Sequence, residues 1–322
     1  MKRASLTGLC GLFLLAAHAV FAQSYPERPI RMVIPFSSGG SIDTTARRIV
    51  AEWTELLGQQ IVVDNRGGAG GTIGTEIVAR ATPDGYTILY ANLGPLSIGP
   101  HLYKKLGYDV FKDLAPVSHA TNAPFILFSS TKLPVKTVQE LIAYAKAQPK
   151  QLNYASSGVG SGLHLTTELF AGAAGIEIVH VPFKGIGQAI PQLAGGQLHV
   201  LAYPYAGAIS HIKAGRIRPL VTAAERRSPV LPDVPTSAEV GLPSFVSTAW
   251  HAIVAPHGTP RAVVDKLQKT FAAALEKPEL RAIMDMTDVQ LVGSSPAELG
   301  RFLRTENDKW RNVIRSAGIS LN

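Results

Sequence analysis

The chain has 322 residues, 46% of them hydrophobic and 17% charged, with 30 Gly, 22 Pro and one Cys. High apolar content at moderate charge excludes an intrinsically disordered chain, a collagen-like repeat and a disulfide-stapled miniprotein, and the length suits about two domains. The formal net charge of +8 is spread over scattered pairs such as Arg47-Arg48, Lys104-Lys105 and Arg226-Arg227, which reads as solvated faces with a mild attraction for anions, and no nucleic-acid partner is expected.

Residues 1–22 form a distinct segment: Lys2 and Arg3, an apolar stretch from Leu6 to Val20, then small-residue chemistry ending at Ala22. This predicts a secretory signal peptide cleaved between Ala22 and Gln23, and hence a periplasmic protein. Leu9 is too large to precede a lipidated Cys10, and cleavage would remove that only cysteine, as suits an oxidising compartment. No later run of about 18 apolar residues suggests a membrane span.

After this segment, short apolar runs alternate with amphipathic stretches. Ile30 to Ile34 reads as a strand and is followed by a helix carrying Ile42, Ala46, Ile49, Trp53 and Leu57 at spacings of three and four, stopped by Gly58. Then come a strand at Ile61 to Val63, a glycine-rich loop, a helix through Ile73 and Val78, and a strand at Thr87 to Tyr90. The pattern restarts at Phe125 to Phe128, with a helix Val138 to Ala147, a strand Leu152 to Tyr154, a helix Leu163 to Ala171 and a strand Ile178 to Val181. Shorter units follow at Ala189 to Leu193, His199 to Ala202, Ile209 to Ala214 and Pro219 to Ala223. A Pro-rich connection leads to a strand at Ala252 to Val254 and two or three C-terminal helices. Such repetition predicts an α/β fold in two lobes with mainly parallel sheets. The expected lobe boundaries place 23–123 and 248–322 in lobe one and 124–247 in lobe two.

Three glycine-rich turns fall at strand-to-helix junctions: Phe36 to Ser41, Asn65 to Thr72 and Ala155 to Gly162. Open α/β sheets bind ligands at such junctions, where unpaired N–H groups and the positive end of a helix dipole face an anion. Enzyme signatures are weaker. Gly68, Gly70 and Gly74 resemble a dinucleotide fingerprint, but the next strand ends at Ala91-Asn92 without the acidic residue that would hold a ribose. No serine has glycine at both −2 and +2, and no two histidines lie three to five residues apart. Neither cofactor nor metal is expected. A secreted α/β hydrolase is the alternative, and it lacks a visible nucleophile–base pair.

From Tyr25 to Ile319 the chain resembles the Bug family (TctC-like) of extracytoplasmic solute-binding proteins. The matching stretches include Tyr25 to Arg31, Gly39 to Asp43, Asn65 to Gly71, Pro83 to Thr87, Tyr154 to Ser156, Ser161 to Leu165, His180 to Gly185, His211 to Gly215, Leu231 to Thr236 and Ala317 to Ile319. The resemblance implies a type II-like, two-lobed Venus flytrap that closes on a small carboxylate held by backbone N–H groups, hydroxyls and waters. It implies ligand contacts at Phe36, Ser37, Ser38, Gly39, Asp43, Gly70, Gly71, Thr72, Ser156, Ser157, Gly160, Ser161, His164 and Lys184. Ser37-Ser38 stands where the family usually has Pro-Ala, which adds two hydroxyls. The strand from His199 to Tyr205 carries no acidic residue for an ammonium group, while Tyr203 and Tyr205 offer flat surface for an elongated or aromatic carboxylate. The expected ligand is a small carboxylate, a dicarboxylate or an aromatic one. A monomer working with membrane transporter subunits or a sensor is the implied arrangement.

Overall fold

The computed structural model describes residues 25–183 and 185–316. The expected signal peptide, Lys184 and the Ala317 to Ile319 stretch lie outside the described residues.

The first part of the chain forms β1 (Ile30–Ile34), α1 (Ser41–Leu57), β2 (Ile61–Asn65), α2 (Thr72–Ala79), β3 (Thr87–Asn92), α3 (Gly99–Leu102) and β4 (Leu114–Asn122). The middle part forms β5 (Phe125–Ser130), α4 (Val138–Ala147), β6 (Asn153–Ser156), α5 (Gly162–Ala174), β7 (Val179–Pro182), α6 (Ala189–Gly195), β8 (Val200–Pro204), α7 (Ile209–Lys213) and β9 (Ile217–Thr222). The chain then returns through β10 (His251–Pro256), α8 (Arg261–Leu275), α9 (Pro278–Asp285), β11 (Gln290–Leu291) and α10 (Pro296–Ser316).

Two sheets result, one per lobe, in the orders β11-β4-β10-β3-β1-β2 and β7-β6-β8-β5-β9. The two-lobed α/β architecture is as expected, but the sheets are mixed rather than mainly parallel. β1, β2 and β3 are parallel, as are β6, β7 and β8. β10 and β5, the first strands after each passage between lobes, enter antiparallel to both their neighbours. A strand reached from the other lobe has no crossover helix to turn it parallel, so its direction is set by where the chain enters.

The two passages run side by side. Ala123 and Ala249 exchange backbone hydrogen bonds of 3.1 and 2.7 Å, and Phe125 donates to Ser247 O at 3.3 Å. The lobes are thus joined by a two-chain ribbon. One core cluster lies between the first sheet and the α1, α8 and α9 layer, where Ile42, Ala46, Ile49, Trp53 and Leu57 turn one face of α1 inward. Trp53 meets Phe271 of α8 edge-to-face at 5.0 Å, and its Nε1 donates to Thr270 Oγ1 at 3.0 Å, so its bulk and its polar atom are both satisfied. The second cluster starts on the opposite face of that sheet and runs past the ribbon into the other lobe. On the first lobe's side of this cluster Trp250 and Trp310 both donate to Glu306 Oε2, at 2.7 and 3.1 Å, tying the returning strand to α10.

Candidate functional site

The three glycine-rich turns follow β1, β2 and β6 at their C-terminal ends, and the lobes meet over them. Two hydroxyls bridge the interface: Tyr103 donates to Val159 O at 3.0 Å, and Tyr203 Oη accepts the Ser41 N–H at 3.2 Å. Glycine permits this approach. A Cβ on Gly70, whose φ is +64°, would stand 2.9 Å from Val159 O, and one on Gly162 would stand 2.6 Å from Leu93 Cδ2.

An interlobe cavity of about 70 Å³ remains beneath the contact, several times the roughly 10–15 Å³ that one water needs. Its apolar wall comes from Phe36, Ile42, Phe125, Leu163, Ile186 and Pro204. Its polar wall comes from the Ser37, Ser38, Ser41 and Ser157 residues, Asn92, Tyr203 and His251. Among the described residues, no Asp, Glu, Lys or Arg lines it. Across Phe36, Ser37, Ser38 and Ser157 lies an open cleft of about 750 Å³, whose far side is formed by Gly67 to Gly71, Pro182 and Phe183.

The N-terminus of α1 faces this partly enclosed cavity. Its N-cap is Gly40, in an extended conformation with no side chain of its own to cap the helix; Tyr203 Oη of the other lobe takes the Ser41 N–H, and the first helical bond runs from Thr44 N to Gly40 O. Seventeen aligned residues therefore present their positive dipole end to a space walled by hydroxyls. Asp43 secures the turn from beneath, accepting from Gly39 N, Arg47 Nε and Asn65 Nδ2, each at 3.0 Å. Burial raises the Asp43 pKa, but the hydrogen bonds from Arg47, Gly39 and Asn65 more than offset this and hold it below the usual carboxylate range.

At the ribbon end the cavity floor crosses three strands. His251 of β10 pairs in register with Asn92 of β3 and with Thr121 of β4. His251 Nδ1 lies 2.8 Å from Thr121 Oγ1, and Asn92 Oδ1 accepts from Gly94 N at 3.1 Å. Burial, with help from nearby His119, pushes the His251 pKa down to about 3, so the imidazole is neutral.

The N-terminus of α5, in the other lobe, is closed off. Ser161 is its N-cap, and Oγ accepts from His164 N at 3.4 Å, while His164 Nδ1 accepts from Gly160 N at 3.2 Å. The His164 ring stacks on His180 at 4.0 Å, and Ser156 Oγ lies 2.6 Å from His180 Nε2. Burial pushes His164 to about 3 and His180 to about 4. Ser156 and His180 form a serine–histidine contact that the sequence does not reveal. Ser156 is, however, fully buried, and its Oγ also accepts from Gly158 N and lies 3.0 Å from Gly158 O, which makes it a turn-forming hydroxyl.

Of the residues singled out in the sequence, Phe36, Ser37, Ser38, Ser157 and Tyr203 line the partly enclosed cavity. Gly70 and Gly71 line the open cleft. Gly39, Asp43, Thr72, Ser156, Gly160, Ser161, His164 and Tyr205 line neither; Thr72 Oγ1 is turned back to Ala69 O at 2.9 Å, and Tyr205 packs against the core of the second lobe. Sequence reasoning missed Ser41 and Ile42, which adjoin a motif it did single out. It also missed Asn92, Phe125, Ala249 and His251. No local motif marks these, because they meet only where strands from distant parts of the chain come together at the ribbon.

Comparison with known proteins bears directly on this architecture. The profile of the tripartite tricarboxylate transporter family receptor matches residues 45–319. The chain belongs to this receptor family. The receptor is 36% identical over 325 residues to BugT of Bordetella pertussis, covering 100% of both chains. It is also similar to a solved R. palustris protein with adipate, at 36% identity and TM-score 0.88 over 92% of this chain and 99% of that one. MatC from Rhodopseudomonas palustris with bound malate gives 34% identity and TM-score 0.86 over 90% and 100%. The receptor is therefore a solute-binding protein with the two-lobed periplasmic-binding-protein fold, and its family is one of receptors rather than enzymes.

Proposed function

We propose that the protein is a periplasmic receptor for a small carboxylate, a dicarboxylate in particular, which it captures between lobes and delivers to membrane transporter subunits or a sensor. The observation that carries this reading is the α1 N-terminus, whose N-cap Gly40 has no side chain and which opens into a partly enclosed cavity lined by hydroxyls. Such a site favours an anion through aligned N–H groups and rejects an ammonium, which would face the same dipole with no acid to hold it. The adipate and malate found in two similar proteins support a carboxylate as the ligand class. The N-terminal segment 1–22 would direct export, among the described residues no helix is long and apolar enough to cross a membrane, and the receptor would work as a monomer.

The lobes of this reading are 23–123 with 248–322, and 124–247, hinged where Ala123 and Ala249 pair. Ligand would favour the closed state because only closure brings Tyr203 of one lobe to the α1 N-terminus of the other. A thermal-shift screen over mono-, di- and tricarboxylates tests the ligand class, since a ligand at 100 times its Kd stabilises by about 2.7 kcal/mol. A dicarboxylate should give the largest shift together with a smaller radius of gyration in solution scattering; no shift with any carboxylate would contradict the proposal.

A further inference from the structure

The cavity floor at the ribbon is chemically distinct from the α1 end. Asn92 and His251 are directly opposed on neighbouring antiparallel strands, a position that sets side chains on one face about 4.5–5.5 Å apart at Cβ. Each has one hydrogen-bonding atom already occupied. The Gly94 N–H fixes the Asn92 amide with Oδ1 toward the backbone, which leaves the Nδ2 hydrogens for the cavity. Thr121 occupies Nδ1 of His251, which leaves Nε2 as the remaining atom of a side chain that lines the same space.

The hydrogen that Nε2 carries is set by the group at Nδ1. Thr121 Oγ1 lies 2.8 Å from Nδ1, and when its hydroxyl donates there the neutral imidazole carries its hydrogen on Nε2. The Tyr90 ring packs behind at 5.3 Å, its buried hydroxyl without a hydrogen-bond partner among the described residues. The floor therefore offers two neutral donors, Asn92 Nδ2 and His251 Nε2, with no charged side chain among the described residues of the cavity.

We infer that Asn92 and His251 form a second, uncharged subsite that donates to the far carboxyl group of the ligand, with Thr121 acting behind it as a positioning residue. This rests on the proposed carboxylate reading and deepens it: the α1 N-terminus holds one end of the ligand, the Asn92–His251 pair holds the other, and their separation selects chain length. Donors without charge suit this end, because a buried cation would bind one carboxylate so strongly that release to a transporter would be slow.

Calorimetric titration with two length-matched series tests the assignment: succinate, glutarate and adipate against butyrate, pentanoate and hexanoate. The intact chain should prefer the best dicarboxylate over its monocarboxylate partner by about 10–100-fold, the scale of hydrogen bonds to a charged group. His251→Leu should remove most of that preference by weakening the dicarboxylate while leaving the monocarboxylate Kd within about threefold, and His251→Gln, which keeps a donor, should restore part of it. Asn92→Ala gives the same readout should His251→Leu not fold. A preference retained in these variants, or equal binding of both series by the intact chain, would overturn the subsite alone. Binding of neither series would contradict the carboxylate reading itself.

Discussion

Two helix N-termini face each other across this molecule, and they differ in one side chain. At α1 the N-cap is Gly40, which has no side chain, and the helix start borders a cavity with only Tyr203 of the other lobe on the Ser41 N–H; at α5 the N-cap is Ser161, whose hydroxyl takes the His164 N–H while His164 takes that of Gly160. Both follow a glycine-rich turn after a strand, and both have a helix dipole. What separates a binding site from a structural joint is whether the protein has already spent its donors on itself. The glycines divide along the same line: Gly40 leaves a cap empty, whereas Gly70 and Gly162 make room for the opposite lobe.

The comparison can be broken at its decisive residue. Gly40 has φ −75° and ψ 169°, an extended conformation open to any residue, and a Cβ there would lie 3.9 Å from its nearest neighbour, Ser37 O. Gly40→Asp should therefore fold and cap α1 with its own carboxylate, at unchanged or slightly raised stability. The same carboxylate would occupy the place of the ligand, so affinity should fall by at least about two decades, or about 2.7 kcal/mol. Paired melting and titration curves check both signs.

Acid should destabilise the fold through its buried imidazoles, the α5 pair His164 and His180 and the ribbon residue His251 alike. His164 and His180 stay neutral in the folded state down to about pH 3 and 4, whereas an unfolded imidazole titrates near 6.5. The unfolded chain then binds more protons, so stability is complete above about pH 6.5 and declines as pH falls toward the folded values. His164 alone should remove about 2 kcal/mol by pH 5, with less from His180, which solvent reaches. Melting temperature measured from pH 7.5 to pH 5 should drop, and His164→Gln should flatten the slope. A pH-independent melting temperature would mean that the two rings are already charged or exposed.

Ser161→Ala separates the cap from the site. It should cost about 0.5–2 kcal/mol of folding stability, the range for a lost N-cap, and leave ligand affinity of the folded protein nearly intact. A loss of affinity by a decade or more would instead place the Ser161 hydroxyl on the ligand. The smallest effect should come from Tyr203→Phe, which deletes the interlobe bond to the Ser41 N–H. A neutral hydrogen bond of about 0.5–1.5 kcal/mol, made mainly in the closed state, corresponds to an affinity loss of roughly threefold to tenfold, with little change in the melting temperature of the unliganded protein.

Much of the fold was legible because it is local. The 3.6-residue spacing of Ile42, Ala46, Ile49, Trp53 and Leu57, closed by Gly58, marks α1, and the same reasoning places α4 at Val138–Ala147. Strand direction was not legible: β5 and β10 look like any buried apolar run, and their antiparallel entry depends on where the chain crosses between lobes. The strand Leu114–Asn122 was not foreseen at all, since His119, Thr121 and Asn122 interrupt its apolar pattern and are accommodated only by tertiary partners such as His251. The site divides similarly. The Phe36 to Gly40 turn carries its own signal, whereas Asn92 and His251 become neighbours through strand pairing across about half the chain.

The central claim, that the α1 N-terminus with glycine at its cap selects an ionised carboxylate, is tested most directly by calorimetric titration of the intact protein with its best dicarboxylate and with the corresponding diamide. The two have nearly the same shape and differ in charge, and aligned N–H dipoles gain far more from the charged group. The account predicts that the diamide binds at least about 100-fold more weakly; equal affinity for acid and amide would contradict it.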